Sequence, residues 1–367
     1  MENAISDGAS RKLRTAMSKH KQTVISRFMG LSNSLLRFVN LKLVKLPEAD
    51  LLARQAKVAE GVIRAFGTPV SNAQSNKAEC IMFSMDRALQ LDAALGSYVK
   101  NVSNPAPVHL LYRATTLQHR NAYDEVLAEY QFVIASAVMQ DKRETFRAQL
   151  LGIMDGIKSE KLFFLVDDDL FVERLDLDDF VQLDTRAVIP SFRMGANLSE
   201  CYTQQQAQPR PDFFCLRSAT ELTAECGLPI TEENRDDLLS WDWRQGRYDW
   251  AYPLSVDGHL FSTAEIRALA EHTEFHSPNT LEGNLQGYIN FFKHRKGVCY
   301  RKSRMVNIPC NKVQTDNSNL HGGLHQDELL EKWQSGLRID YGALHGFDNN
   351  GAHQEIELAF VERSERR

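Results

Sequence analysis

Between residues 80 and 169 the chain alternates short apolar runs with longer amphipathic ones. CIMFSM (80–85), PVHLLYRA (107–114), QFVIASAV (131–138) and KLFFLVDDD (161–169) have the length and composition of strands. The stretches between them, RALQLDAALGSYVKN, RNAYDEVLAEY and RETFRAQLLGIMDGIKS, repeat apolar residues at the three-to-four spacing of a helix face. Strands alternating with helices predict an α/β fold with a mostly parallel sheet flanked by helices. Farther on, RAVIPSFRM (186–194) reads as a strand. HLFSTAEIRALAEH reads as a strand entering a helix, with Ser262 and Thr263 as caps ahead of Glu265. NTLEGNLQGYINFFKHR reads as a helix, GVCYRKSRMVNIP as a late strand and HQDELLEKWQSGLR as a final helix. Residues 195–255 are less regular and include QQQAQPRPD and the aromatic WDWRQGRYDWAYP.

The start of the chain has a different pattern. Residues 1 to 66 read as helical, and residues 1–50 hold nine Lys and Arg against four Asp and Glu, a net of +5. Val24, Phe28, Leu31, Leu35, Phe38 and Leu41 recur at helical spacing among Arg27, Arg37, Lys42 and Lys45. Residues 11–45 therefore fit a helix lying in a membrane interface, or one packed on the main domain or on a second subunit. GTPVSNAQSNKAE (67–79) has the content of a linker. The expected organisation is a basic helical extension (1–75), an α/β domain (76–345, with halves 76–185 and 186–345) and a C-terminal tail (346–367).

Composition narrows the class. The chain has 367 residues, 43% hydrophobic and 25% charged, enough for a core of ordinary size. Its net charge of -5 gives no whole-chain argument for a nucleic-acid partner. None of the six cysteines stands in CxxC or zinc-finger spacing, which points to reduced thiols. The first residues lack the apolar core of a signal peptide, and no run approaches about 20 apolar residues. A cytoplasmic protein, peripheral at most to a membrane, is the expectation.

The candidate chemistry centres on KLFFLVDDDLFV (161–172). Three adjacent carboxylates repel one another, and a hard divalent cation, Mn2+ or Mg2+, offsets that repulsion through oxygen ligands. On an extended chain Asp167 and Asp169 point the same way, toward a metal, and Asp168 points away, toward a nucleotide ribose. Ligands of open α/β sheets bind at the carboxyl ends of the strands. Ser84, Met85, Asp86 and Arg87 follow the first strand, Arg113 follows the second, and Arg143 precedes the fourth on the way into a helix. All are candidate nucleotide contacts. Arg193 and Asn197, in SFRMGAN, could reach a donor or acceptor sugar. Trp241, Trp243 and Trp250 suit an aromatic acceptor wall, and suit a core cluster equally.

In order and spacing, IMFSMDRALQLDAALGSY, KLFFLVDDD, VDGHLFSTAEI and PNTLEGNLQGYI resemble a GT-A-fold nucleotide-sugar glycosyltransferase of the bacterial family-two type, over roughly residues 80–340. The resemblance implies a metal-dependent transfer of sugar from a nucleoside-diphosphate sugar to a hydroxyl of a glycan or lipid-linked acceptor. It implies Asp167 and Asp169 as metal ligands and Glu282, or else Asp257, as catalytic base. It also implies a C-terminal histidine at the metal or diphosphate, for which NSNLHGGLHQDE offers His321 and His325. The opening strand departs from the family's usual wording, and Gly283 stands where the family has a second acid. Two other classes compete. A nucleotidyltransferase acting on sugar phosphates also uses carboxylate-held Mg2+, but SMDRALQ has no glycine-rich phosphate loop. A non-catalytic carbohydrate-binding protein would keep the fold with a degenerate site.

Overall fold

The computed structural model describes residues 46–67, 77–141, 143–215, 238–310 and 326–363. The segments 11–45 and 311–325, the latter with His321 and His325, lie outside the described residues. Met1–Lys57 forms one unit and Val58–Arg367 a second. Helix α1 (Leu46–Gly67) begins in the first and ends in the second. No helix among the described residues is long and apolar enough to cross a membrane.

The second unit is a mixed α/β structure with a mostly parallel central sheet. Strand β1 (Ala78–Met85) is followed by helix α2 (Ala88–Asn101), β2 (Val108–Arg113), α3 (Leu117–Glu129), β3 (Ile134–Met139), α4 (Phe146–Gly156) and β4 (Lys161–Val166). Strands β1 and β4 are buried on both faces, which is why they read as continuous apolar runs. Next come β5 (Asp169–Phe171), β6 (Val188–Pro190), β7 (Leu238–Asp242) and β8 (Leu260–Ser262). Helices α5 (Thr263–His272) and α6 (Pro278–Leu285) follow, then β9 (Lys296–Tyr300) and β10 (Met305–Asn307). The chain ends with α7 (Gln326–Gln334) and a short antiparallel pair, Leu337–Ile339 with Phe360–Glu362.

The central sheet has the order β8-β4-β1-β2-β3, with only β8 antiparallel. The chain thus builds outward from β1 to β2 and β3, then crosses back to lay β4 on the other side of β1. In open α/β sheets such a reversal marks the ligand-binding crevice, which falls here at the carboxyl ends of β1 and β4. A second sheet, of Phe214–Cys215, β7, β9 and β6 in that order, packs beside it. Apolar side chains fill both sides of the central sheet, Leu91, Tyr98 and Phe163 on one and Phe83, Leu150, Phe164 and Trp241 on the other.

Two local expectations are corrected. Ser262 makes no side-chain cap to α5; the neighbouring Thr263 hydroxyl donates to Ser159 O, and Glu265 turns inward to a buried pair with Arg295. The reciprocal capping box forms instead at α6, between Ser277 and Thr280, with Pro278 opening the helix.

Candidate active site

The acidic stretch leaves the strand before its aspartates. Strand β4 ends at Val166, Asp167 and Asp168 form a turn, and β5 begins with Asp169. Alternation along an extended chain therefore does not apply, and each carboxylate is aimed by its own donors. Asp167 accepts from Ser84 Oγ (2.7 Å), the Met85 amide (3.2 Å) and Arg87 Nη1 (2.9 Å). The same Arg87 nitrogen donates to Asp168 Oδ2 at 3.0 Å. Asn307, at the end of β10, donates its amide nitrogen to Asp168 (3.0 Å) and Asp169 (3.1 Å), and Asp169 also accepts from the Val166 amide (3.0 Å). Asp168 thus faces both neighbours' partners rather than the opposite side. It is the most accessible of the three, its side chain 13% exposed against 4% for Asp167.

The loop after β1 completes this half. Asp86 adopts a left-handed backbone (φ 53°), which turns the chain sharply between β1 and α2. Its carboxylate pins that turn to the loop after β2 through the Thr115 amide and hydroxyl, both at 2.7 Å. Tyr123, on α3, is a hub that sequence reading missed. Its hydroxyl lies 2.5 Å from Ser84 Oγ and accepts from the Arg87 amide at 3.1 Å. Nothing in local spacing couples a helix tyrosine to a strand end forty residues earlier.

The second half faces the first. In the turn before β8, Gly258 has φ +66°, and a Cβ there would lie 2.5 Å from Met305 Sδ, so the Asp257-Gly258 pair needs its glycine. Asp257 Oδ2 meets Arg193 Nη1 at 3.2 Å and His353 Nε2 at 3.4 Å. Arg193 also pairs with Asp249 (2.6 Å) and donates to Ser255 Oγ (3.0 Å). The Ser255 hydroxyl in turn donates to Glu282 Oε1 at 2.8 Å, joined by the Val256 amide at 3.1 Å. Glu282 is the fifth residue of α6, past the first turn, so its position owes nothing to the helix end.

Burial and like charge set the protonation of these groups. Asp167 is pushed up to about 6 because burial and the Asp168 charge outweigh Arg87. Asp169 is raised well above the usual carboxylate range by burial and by the charges of Asp257 and Asp168. The influence of Asp257 on Asp169 brings the two halves into one electrostatic unit. Across the crevice Glu282 is pushed up to about 7 by burial and the neighbouring Asp257 charge. Burial alone would raise Asp257 too, but His353, Arg193 and His259 together hold it below the usual range. His259 is pushed down to about 3 by burial and Arg193. Its Nδ1 hydrogen-bonds Pro253 O at 3.1 Å, and its buried Nε2 has no partner among the described residues.

Several expected contacts fall elsewhere. Trp241, Trp243 and Trp250 are 0%, 2% and 0% exposed and pack edge-on against one another in the core, so they form no acceptor wall. Strand β9 closes over them so tightly that a Cβ at Gly297 would lie 2.3 Å from the Trp241 ring. Asn197 shapes a loop, donating to Asn349 O and accepting from the Ser303 amide. Arg143 is exposed and pairs with Asp141, two residues away. Arg113 is exposed, and its contribution to the crevice is its carbonyl, which accepts from the Asp86 amide. The segment expected as a tail supplies His353, held beside Asn307 by a parallel bridge.

The donor set fits a hard divalent cation in chemistry: Asp167, Asp168 and Asp169 offer carboxylate oxygens, two of them oriented by the Asn307 amide nitrogen. Among the described residues no three His, Cys, Asp or Glu side chains converge on one point. A cation held here would therefore draw further ligands from the substrate, as Mg2+ and Mn2+ sites on phosphates do.

Fold and site together define an α/β protein with a carboxylate-rich crevice at the switch point of its sheet. No family model and no curated protein matches the chain. Among solved structures it is similar to the mannosyltransferase PcManGT of Pyrobaculum calidifontis in complex with GDP-Man and Mn2+ (14% identity, 40% of this chain and 47% of that one, TM-score 0.25). It is also similar to TarS of S. aureus (12% identity, 70% and 38%, TM-score 0.36). A third match is the WbbM bifunctional glycosyltransferase (9% identity, 62% and 39%, TM-score 0.30). The chain spans less than two thirds of each of these proteins. At such scores the likenesses carry no weight for function, which rests on the crevice itself.

Proposed function

We propose that this chain is a divalent-cation-dependent glycosyltransferase, moving a sugar from a nucleoside-diphosphate sugar to the hydroxyl of a glycan or lipid-linked acceptor. One observation carries the reading. Three adjacent aspartates sit at the switch point of the sheet, two of them buried with carboxyls held above their ordinary range, and the charge of Asp257 reaches Asp169 from the second group of acids. Buried like charge kept together at a strand end is costly unless a cation joins it.

Asp167 and Asp169 would hold Mn2+ or Mg2+, with Asp168 and Asn307 beside them. Bound there, the cation would neutralise the charge that builds on a departing nucleoside diphosphate. Ser84, Met85, Asp86 and Arg87 shape the loop that meets the nucleotide. Glu282 is suited to take the acceptor's proton, since its acidity near neutral pH balances availability against basicity. Asp257 is held ionised by Arg193 and His353 and orients that end of the crevice. Two acids pushed apart in acidity are the pattern expected of one proton-transfer group and one fixed charge. Arg193 is a positioning residue, and His353 is a described histidine beside the acids, His321 and His325 lying outside the described residues.

The test is turnover of a panel of sugar nucleotides by the full chain with Mn2+, read as release of nucleoside diphosphate. Release by at least one donor that stops on chelation supports the assignment. No release from any donor, together with no calorimetric binding, overturns it.

A further inference from the structure

We propose that Arg87 is a built-in counter-cation of the acidic turn, displaced by the divalent cation and then re-paired with the donor's diphosphate. This rests on the function proposed above and adds a step to it. A single guanidinium nitrogen, Nη1, stands 2.9 Å from Asp167 and 3.0 Å from Asp168. It lies at the point where Asp167 and Asp168 converge, beside carboxylates that a cation in the acidic turn would need. A guanidinium and a divalent cation cannot share that point, because like charges so close repel strongly.

The backbone at this position is held in place independently of the side chain's ion pairs. The Arg87 amide is tied to Tyr123, and the preceding Asp86 is fixed by Thr115. The side chain begins at the start of α2, where backbone amides face outward and favour anions. Its side chain is 12% exposed, so it is largely buried with a part reaching the surface. Charge balance favours the exchange. One arginine offsets one of three aspartates, whereas a divalent cation offsets two and leaves the arginine to meet the incoming diphosphate. Arginine suits that second partner, since its planar donors match phosphate oxygens.

The prediction has opposite signs for two ligands. In Mn2+ titrations of the full chain without nucleotide, followed by the electron paramagnetic resonance of unbound Mn2+, Arg87→Ala binds the metal about tenfold tighter than the parent. With Mn2+ saturating, the nucleoside diphosphate that binds the parent best (from ADP, GDP, UDP and CDP) binds Arg87→Ala about tenfold more weakly. Arg87→Gln, which keeps a polar donor without the charge, gives the same pair of results and decides the matter should the alanine variant not fold. Unchanged or weaker Mn2+ binding in the folded variants overturns the exchange while leaving the metal site in place. If the parent and both variants all fail to bind Mn2+, the metal-dependent reading falls as well.

Discussion

The two ends of the central sheet hold carboxylates under opposite conditions. At the amino end Glu79 accepts from the Lys158 and Ser159 amides at 2.9 Å, and its other oxygen meets His109 Nε2 at 2.6 Å, while His109 Nδ1 reaches Ser136 at 2.8 Å. At the carboxyl end Asp167 has as many donors. Yet Glu79 is held below the usual carboxylate range, its hydrogen bonds outweighing the burial that would raise it, and Asp167 is pushed up to about 6. Donors alone do not explain the difference. Asp167 is the more deeply buried of the two, and it has the Asp168 charge beside it as well. One end satisfies a lone carboxylate with hydrogen bonds, and the other gathers three carboxylates, two of which have Arg87 as their charged partner.

Substitutions at the two ends should separate the roles. Glu282→Gln is expected to lower transfer by about 10^2–10^4-fold with the melting temperature kept or raised. Its rate should also lose the rise with pH centred near 7 that a base of that acidity imposes on the parent. An unchanged pH profile would assign the base elsewhere, with Asp257 next in line. Asp169→Asn should cost about 10^2–10^3-fold in rate through lost electrostatic stabilisation, again without destabilising the metal-free protein. Glu79→Gln should do the reverse, losing about 1–3 kcal/mol in denaturant unfolding while the folded fraction turns over donor at the parent's rate. Were Glu79→Gln instead to abolish turnover at full stability, the structural role of Glu79 would fail.

The pH dependence of stability sharpens the contrast. A raised folded acidity means the native state binds more protons than the unfolded one between the two values. Stability from Asp167 therefore falls as pH rises from about 4 to about 6, and from Glu282 as it rises toward about 7. Glu79 has the opposite sign. Its contribution is present above the ordinary glutamate range and is lost as pH falls through its lowered value. Metal-free protein should thus melt at lower temperature at pH 7 than at pH 5, and Mn2+ should remove most of that slope. A slope untouched by Mn2+ would place its origin away from the acidic turn. The smallest effect is expected at the tryptophans. Trp243→Phe should change stability through its buried contacts and leave the acceptor KM within about twofold, because the ring never reaches solvent.

What the sequence disclosed follows the range of the forces involved. The four parallel strands and their helices were legible because each carries its own apolar period, and the aspartates were legible because they are contiguous. Their individual directions were not, since the strand stops at Val166 and the turn, not the pleat, aims Asp167 and Asp168. The burial of Trp241 depends on Gly297 lying flat against it from β9, a contact between residues more than fifty apart. Tyr123, Asn307 and His353 join the crevice from three separate elements, with no spacing to announce them. Glu282 could be named from its segment, but its tie to Ser255 and Arg193 exists only once α6 has packed beside the turn before β8.

The central claim is that the acidic turn at the switch point is a cation and diphosphate site. Its most direct test is thermal melting of the full chain with ADP, GDP, UDP and CDP, with and without Mn2+, in the parent and in Asp169→Asn. At about a hundredfold excess over Kd, at least one nucleoside diphosphate should raise the melting temperature by roughly 5 °C, only with Mn2+ and only in the parent. Stabilisation that persists without metal, or is equal in Asp169→Asn, would contradict the account.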